Sequence, residues 1–275
     1  MRIPSAVPFH CRRFGGAIAL SSALTLLGSC ATIESGQRLA ANALLPVSEE
    51  NKLGRDMKKE IEKELKLHKS QEIQDYIEKL GSRIASKARD TPQGIKFTFT
   101  VVDDDKTINA FAIPGGHIYV YSGLMKAASD EAELAGVIGH EIAHVTQRHI
   151  ADRLVAQFGL QTVLGLALGK DPSLLSSLAA QVAGTGALLK FTRDQESEAD
   201  ARGLPYMVAA GYDPEGMVRF FRKLKKTEGP GALVFLSDHP LPSARIEALE
   251  ARIKRMRNKP TKTNKEAYQE IKAKL

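Results

Sequence analysis

Residues 136–149 read GVIGHEIAHVTQRH, and the spacing of His140, Glu141 and His144 within them decides how the rest of the chain is read. Positions i and i+4 of an α-helix lie on one face about a turn apart, so both imidazoles can reach a single ion. Glu141 is offset by one residue, where its carboxylate meets a water beside the metal rather than the metal itself. H-E-x-x-H on a helix is the arrangement of a zinc hydrolase. The local sequence predicts that helix, with Ser129 as N-cap and Asp130, Glu131 and Glu133 in or near the first turn. Leu134, Val137, Ile138 and Ile142 supply an apolar stripe. The alternative is a core helix whose histidines merely sit near its surface, and a third ligand downstream separates the two readings.

Residues 193–200, RDQESEAD, offer that ligand. If they are helical, Glu196 and Asp200 share a face. Glu196 then serves as the third metal ligand, and Asp200 orients one histidine by accepting its remaining N–H. Glu198 falls on another face and is expected to be solvated.

The 275 residues, 43% of them apolar, suffice for one large or two modest domains with a proper core. The first 29 residues are expected to be a signal peptide. Arg2, Arg12 and Arg13 form a basic region, and an apolar run from Ala17 to Leu27 is too short for a comfortable span. The ending Leu27-Gly28-Ser29-Cys30 resembles the lipobox of bacterial lipoproteins, which makes Cys30 the lipidated first residue; a plain secretory signal with Cys30 incidental is the other reading. With the leader gone the charge falls from +7 to +4, 36 basic against 32 acidic side chains. So mild and dispersed an excess does not argue for nucleic acid. Cys11 leaves with the leader and Cys30 is taken by lipid, so no disulfide is expected even in an oxidising compartment. Several acyl chains would hold the protein to a membrane stably. Ala31, in place of a retention aspartate, suggests the outer membrane, facing the periplasm.

Residues 30–46 read as a tether and 47–258 as the folded domain. Leu53, Met57, Ile61 and Leu65 predict a helix from Ser48, and Ile73, Ile77, Leu80 and Ile84 a second. Phe97 to Val102 reads as a strand ending in a solvated turn at Asp103-Asp104-Asp105. Asn109 to Leu124, NAFAIPGGHIYVYSGL, reads as strand, Pro-Gly-Gly turn and strand. Asn109, Ala110, Phe111 and Ala112 are the candidate edge on which an extended peptide adds, held by main-chain hydrogen bonds. His117 is read as an ordinary strand residue. The apolar stretch Leu154 to Leu189 is interrupted by polar residues and predicts two short hydrophobic helices, either core or a flap facing lipid or substrate. Glu228 to Pro242 is expected to be a Gly/Pro-bearing loop holding His239. Ser243 caps a final helix to about Arg257, and residues 259–275 form a polar, solvated tail.

The chain resembles the zinc metallopeptidase family that includes the CAAX prenyl protease and the HtpX-type heat-shock proteases, peptidase family M48, and within it the periplasmic lipoprotein members. The resemblance spans roughly Ser48 to Asn258. It is carried by N-A-F-A-x-P-G-G at Asn109 to Gly116, H-E-x-x-H at His140 to His144, R-x-x-E-x-x-A-D at Arg193 to Asp200, and His239-Pro240 followed by Arg245-Ile246. It implies an α+β, predominantly helical, gluzincin-type fold with a small β-sheet beside the H-E-x-x-H helix. It also implies one Zn²⁺ per chain, held by His140, His144 and Glu196, with Glu141 as general base. His239 would lie over the site, as an oxyanion stabiliser or added ligand, and Arg245 would assist it. The implied substrates are polypeptides, namely misfolded or stalled envelope proteins. A rival from another class is a chaperone-like or scaffolding lipoprotein with a structural metal, in which Glu141 has no task.

Overall fold

The computed structural model describes residues 45–185, 190–226 and 230–275, for 230–233 the backbone alone. The expected signal peptide, Cys30 and most of the tether lie outside the described residues. The tether's end is docked: Leu45 is buried, and its carbonyl accepts from Arg148 Nη2 at 2.6 Å.

Helices α1 (Val47–Glu64) and α2 (Gln71–Ala85) carry the two expected apolar faces, Leu53, Met57 and Ile61 on one, Ile73, Ile77, Leu80 and Ile84 on the other. Leu65 falls at the C-cap of α1. Strands β1 (Thr98–Val102), β2 (Ala110–Ile113) and β3 (His117–Tyr121) form one sheet in the order β1-β3-β2. β1 runs parallel to β3, with Thr98 opposite His117, while β2 is antiparallel to it, with Ala112 opposite Ile118. The expected Pro-Gly-Gly turn joins β2 to β3, Gly115 (φ 81°) and Gly116 (φ 93°) taking the left-handed conformations that need glycine. The three aspartates form a turn, Asp104 Oδ1 accepting from Lys106 N at 2.9 Å.

After α3 (Ser122–Ala127) comes the central element, α4 (Glu131–Thr146), all sixteen of whose residues are buried. The expected stripe is thus a sleeve: α4 is covered on every side and packs against α2, β2 and the two long helices that follow the insertion. Its N-cap is Asp130 rather than Ser129. The Asp130 carboxylate accepts from Glu133 N at 2.9 Å, and Glu133 in return accepts from Ser129 N at 2.8 Å. A carboxylate does this better than a hydroxyl because it also meets the positive end of the helix dipole.

Among the described residues, the apolar insertion runs through three helices rather than two: the second half of α5 (His149–Phe158), α6 (Leu160–Ala167) and α7 (Pro172–Thr185). Gly159 (φ 78°) breaks the first from the second. Val163, Leu166, Leu178 and Val182 are buried, and α6 and α7 rest on α1, so this face is core. No helix of the described residues is long and apolar enough to cross a membrane.

α8 (Arg193–Ala209) begins with a capping box in which Thr192 and Gln195 satisfy each other's backbone N–H. α9 (Glu215–Lys226) buries Met217, Phe220, Phe221 and Leu224 against the core, each contributing about 1.5–3 kcal/mol. The segment expected as a loop contains α10 (Pro230–Asp238), and α11 (Ser243–Arg255) follows, with Pro242 at the N-cap position expected of Ser243. The solvated-tail expectation is corrected too. Residues 265–272 form α12 (Lys265–Lys272), whose Tyr268 is wholly buried and donates to Met125 O at 2.5 Å. Among the 17 residues read as tail, one aromatic side chain outweighs the lysines around it.

Candidate metal centre

His140 and His144 project from one face of α4 with their Nε2 atoms 3.0 Å apart. Glu196, from the first turns of α8, brings Oε2 to 3.4 Å from His140 Nε2 and Oε1 to 3.2 Å from His144 Nε2. His239 arrives from the end of α10, its N–H donating to Phe235 O at 2.8 Å. Its Nδ1 lies 3.3 Å from His140 Nε2 and 3.0 Å from Glu196 Oε1. One atom from each of these four buried residues falls within a mutual 4.8 Å. Four donors around an ion with bonds of about 2.0–2.2 Å stand roughly 3.3 Å from one another, so these separations suit a divalent ion held tetrahedrally. Two nitrogens 3.0 Å apart that both lack a proton repel unless a cation lies between them.

Around the donors sits a second layer. Asp200, one turn after Glu196 on α8, places Oδ1 2.9 Å from His140 Nδ1, a contact that would hold a proton on Nδ1 and free the Nε2 lone pair for a bound ion. Arg245, from the first turn of α11, donates from Nε to Asp200 Oδ2 at 2.7 Å and from Nη2 to Asp200 Oδ1 at 2.8 Å. Its Nη1 donates to Glu196 Oε2 and to Pro240 O. The guanidinium expected to assist at the substrate carbonyl is thus engaged by two carboxylates and a backbone carbonyl, a geometry that suits a positioning role.

Electrostatics follow this arrangement. Burial alone would depress His140, but Glu196 and Asp200 outweigh it and push the metal-free ring up to about 9. His144 is held well down by burial and by the neighbouring His140 and His149. Burial works to raise Glu196 and Asp200, yet the imidazoles beside Glu196 and the Arg245 guanidinium beside Asp200 keep both ionised and low. Glu141 differs. Burial raises its carboxyl, and neither oxygen has a hydrogen-bond partner; the ring atom His239 Nε2 stands 3.5 Å from Oε1. A buried carboxylate with both oxygens unengaged costs several kcal/mol and is rarely kept without a task.

The edge strand β2 lies against α4 with Asn109, Ala110, Phe111 and Ala112 all buried, and no described strand covers its outer side. Asn109 accepts from Ala110 N at 2.9 Å and bonds Asp238, tying the sheet edge to the end of α10. His117 stands apart from the centre, bonded to Thr98 Oγ1 at 2.8 Å. Three neighbours went unread in the sequence. Phe191 stacks on His144 with ring centres 3.8 Å apart, and Phe235 stacks on His239 at 4.8 Å. His149 places Nδ1 3.0 Å from His144 Nδ1 and Nε2 3.5 Å from Glu198 Oε2, so Glu198 faces inward rather than being simply solvated. A histidine five residues beyond His144 was the available signal, but regular helical geometry points it elsewhere.

A mainly helical fold with a three-stranded sheet beside a buried H-E-x-x-H helix, and a downstream glutamate among its histidines, defines a metallopeptidase. Residues 68–253 match the family model described as Peptidase family M48. The chain belongs to peptidase family M48. It is 38% identical over 191 residues to a putative beta-barrel assembly-enhancing protease of Vibrio cholerae, covering 63% of this chain and 38% of that protein. It is 30% identical over 244 residues to the beta-barrel assembly-enhancing protease of Escherichia coli K12, covering 83% of this chain and 49% of that one. The metalloprotease YcaL of the same organism is 27% identical over 188 residues, 67% of this chain and 72% of that protein. The match thus covers less than half the length of these beta-barrel assembly-enhancing proteases.

Proposed function

We propose that this chain is a zinc-dependent metalloendopeptidase, anchored by lipid at Cys30, facing the periplasm from the outer membrane, and acting on misfolded or stalled envelope proteins. The observation that carries the reading is Glu141, a buried carboxylate with no hydrogen-bond partner beside four convergent metal donors. His140, His144 and Glu196 would hold the ion. Zn²⁺ bound there would lower the pKa of a coordinated water to about 7 and polarise a substrate carbonyl. Glu141 takes the proton from the attacking water and passes it to the leaving amine. Asp200 and Arg245 hold His140 and Glu196 in place during this transfer. The outer side of β2 holds an extended substrate through main-chain hydrogen bonds. The envelope location and substrate class draw on the lipobox-like Cys30 and on relatives whose name is beta-barrel assembly-enhancing protease.

One observation favours a second reading. His239 takes the fourth donor position, and four protein ligands are typical of structural rather than catalytic zinc. Catalysis needs that position for water, so in the enzyme reading the end of α10 swings His239 away when substrate enters. The test compares Glu141→Gln with His239→Ala, with zinc content and cleavage of unfolded casein measured for both. The enzyme reading expects Glu141→Gln to keep zinc and lose about 10²- to 10⁴-fold in rate, and His239→Ala to keep zinc on three donors. Unchanged cleavage by Glu141→Gln sinks that reading, and zinc lost from His239→Ala supports the structural one.

A further inference from the structure

His149 is completely buried and points back at the metal centre although the helix carrying His140 and His144 has already ended. In a continued α-helix, five residues turn the chain by 500°, leaving His149 about 140° away from His144. Arg148 prevents this. It takes the left-handed conformation (φ 55°), which a non-glycine residue seldom adopts, and is held there through Glu50 Oε2 at 2.9 Å and the carbonyl of Leu45. The turn folds α5 under α4 and sets His149 Nδ1 3.0 Å from His144 Nδ1, with Glu198 Oε2 3.5 Å from the opposite nitrogen.

For His144 to bind an ion through Nε2, that atom must be bare, so the ring proton sits on Nδ1. His144 then donates to His149 Nδ1. That nitrogen must be the acceptor, which places the proton of His149 on Nε2, the side facing Glu198. Phe191 fixes the plane of the His144 ring by stacking on it, but stacking does not choose which ring edge faces the ion. The contact with His149 makes that choice.

We propose that His149 and Glu198 are positioning residues that hold His144 in its metal-binding tautomer, as Asp200 does directly for His140. The two metal histidines then each lead to a carboxylate of α8, one at a single step and the other through an intervening imidazole. The inference rests on the reading of His144 as a metal ligand.

The experiment measures the zinc dissociation constant by competition with a fluorescent chelator at one fixed pH for the unmodified chain, His149→Leu, His149→Gln and Glu198→Ala. His149→Leu is expected to bind zinc about 10- to 100-fold more weakly, the range for losing such a partner. His149→Gln, whose amide oxygen accepts from His144 and whose amide N–H₂ faces Glu198, is expected to recover most of the loss. Glu198→Ala sits on a partly exposed helix face and keeps the core intact, so it gives an answer even if His149→Leu does not fold; a several-fold weakening is expected. Unchanged affinity in His149→Leu and Glu198→Ala overturns the proposal, as does an equal loss in the Leu and Gln variants. An unmodified chain with no affinity for zinc overturns the metal centre itself, a different result from a centre indifferent to His149.

Discussion

Gly139 and Gly203 lie backbone against backbone where α4 crosses α8. A Cβ on Gly203 would stand 2.7 Å from the carbonyl of Gly139 and 2.8 Å from His140 N, and one on Gly139 would stand 2.9 Å from Gly203 O. Glu196, Asp200 and Gly203 recur at helical spacing along the side of α8 that meets α4. The missing side chains are therefore what lets two carboxylates of one helix reach the histidines of the other.

Gly203→Ala tests this relationship. Overpacking of this kind costs about 1–3 kcal/mol. The expected outcome is a lower unfolding temperature together with weaker zinc binding, because α8 must move away from His140. A chain that loses stability yet keeps its full zinc affinity would show that the crossing distance does not set the centre.

Arg245 binds both carboxylates that serve the metal centre. Arg245→Ala leaves Asp200 and Glu196 buried without their cation and is expected to destabilise by about 3–5 kcal/mol. Arg245→Lys keeps the charge but cannot serve three oxygens and the Pro240 carbonyl from one planar fork. Its expected signature is near-normal folding with zinc affinity lowered roughly 10- to 100-fold, read by thermal unfolding and chelator competition. Full zinc affinity in Arg245→Lys would reduce the guanidinium to a simple counter-charge.

Glu141 carries a pH dependence whose sign follows from its burial. Its folded pKa is raised above the ordinary 4.5, so the folded chain holds that proton more tightly than the unfolded one. Stability associated with the protonated acid is present below pH 4.5 and lost as pH rises through the folded value. In chelator-treated protein, Glu141→Gln is expected to match the parent near pH 4 and exceed it at neutral pH by on the order of 1–3 kcal/mol, a gain of several degrees in Tm. Parallel stability curves across that range would show that the carboxyl is not desolvated.

The C-terminal helix is expected to be part of the folded unit. Tyr268→Ala removes a wholly buried ring and costs about 3–5 kcal/mol, whereas Tyr268→Phe forfeits only the bond to Met125 O, about 1 kcal/mol. Ending the chain at Asn258 should lower Tm by on the order of 10 °C. Equal Tm values for the full and shortened chains would return residues 259–275 to the role of a solvated tail.

Much of the centre was legible because its signals are local. His140, Glu141 and His144 lie within five residues, where helical periodicity alone fixes which side chains share a face, and Glu196 with Asp200 repeats that logic. The Gly/Pro-bearing segment around His239 suggests a loop, yet Pro230 and Gly231 open α10, since proline and glycine are tolerated at a helix start. The solvated tail was read from its lysines, whereas one tyrosine decided the packing.

From its own amino acids, then, the chain pointed to a metal-binding chemistry, to the two histidines and the glutamate that the structure brings together, and to most of the helices and strands that carry them. These depend on residue type and on the geometry of one turn. Tertiary structure alone decided that His239 stands beside His140, His144 and Glu196, that Arg245 binds Asp200 and Glu196, and that His149 reaches His144 through a left-handed Arg148. Each of these is a distance between segments far apart in sequence or joined by an irregular turn, set by how α4, α8, α10 and α11 pack, and no local periodicity encodes it.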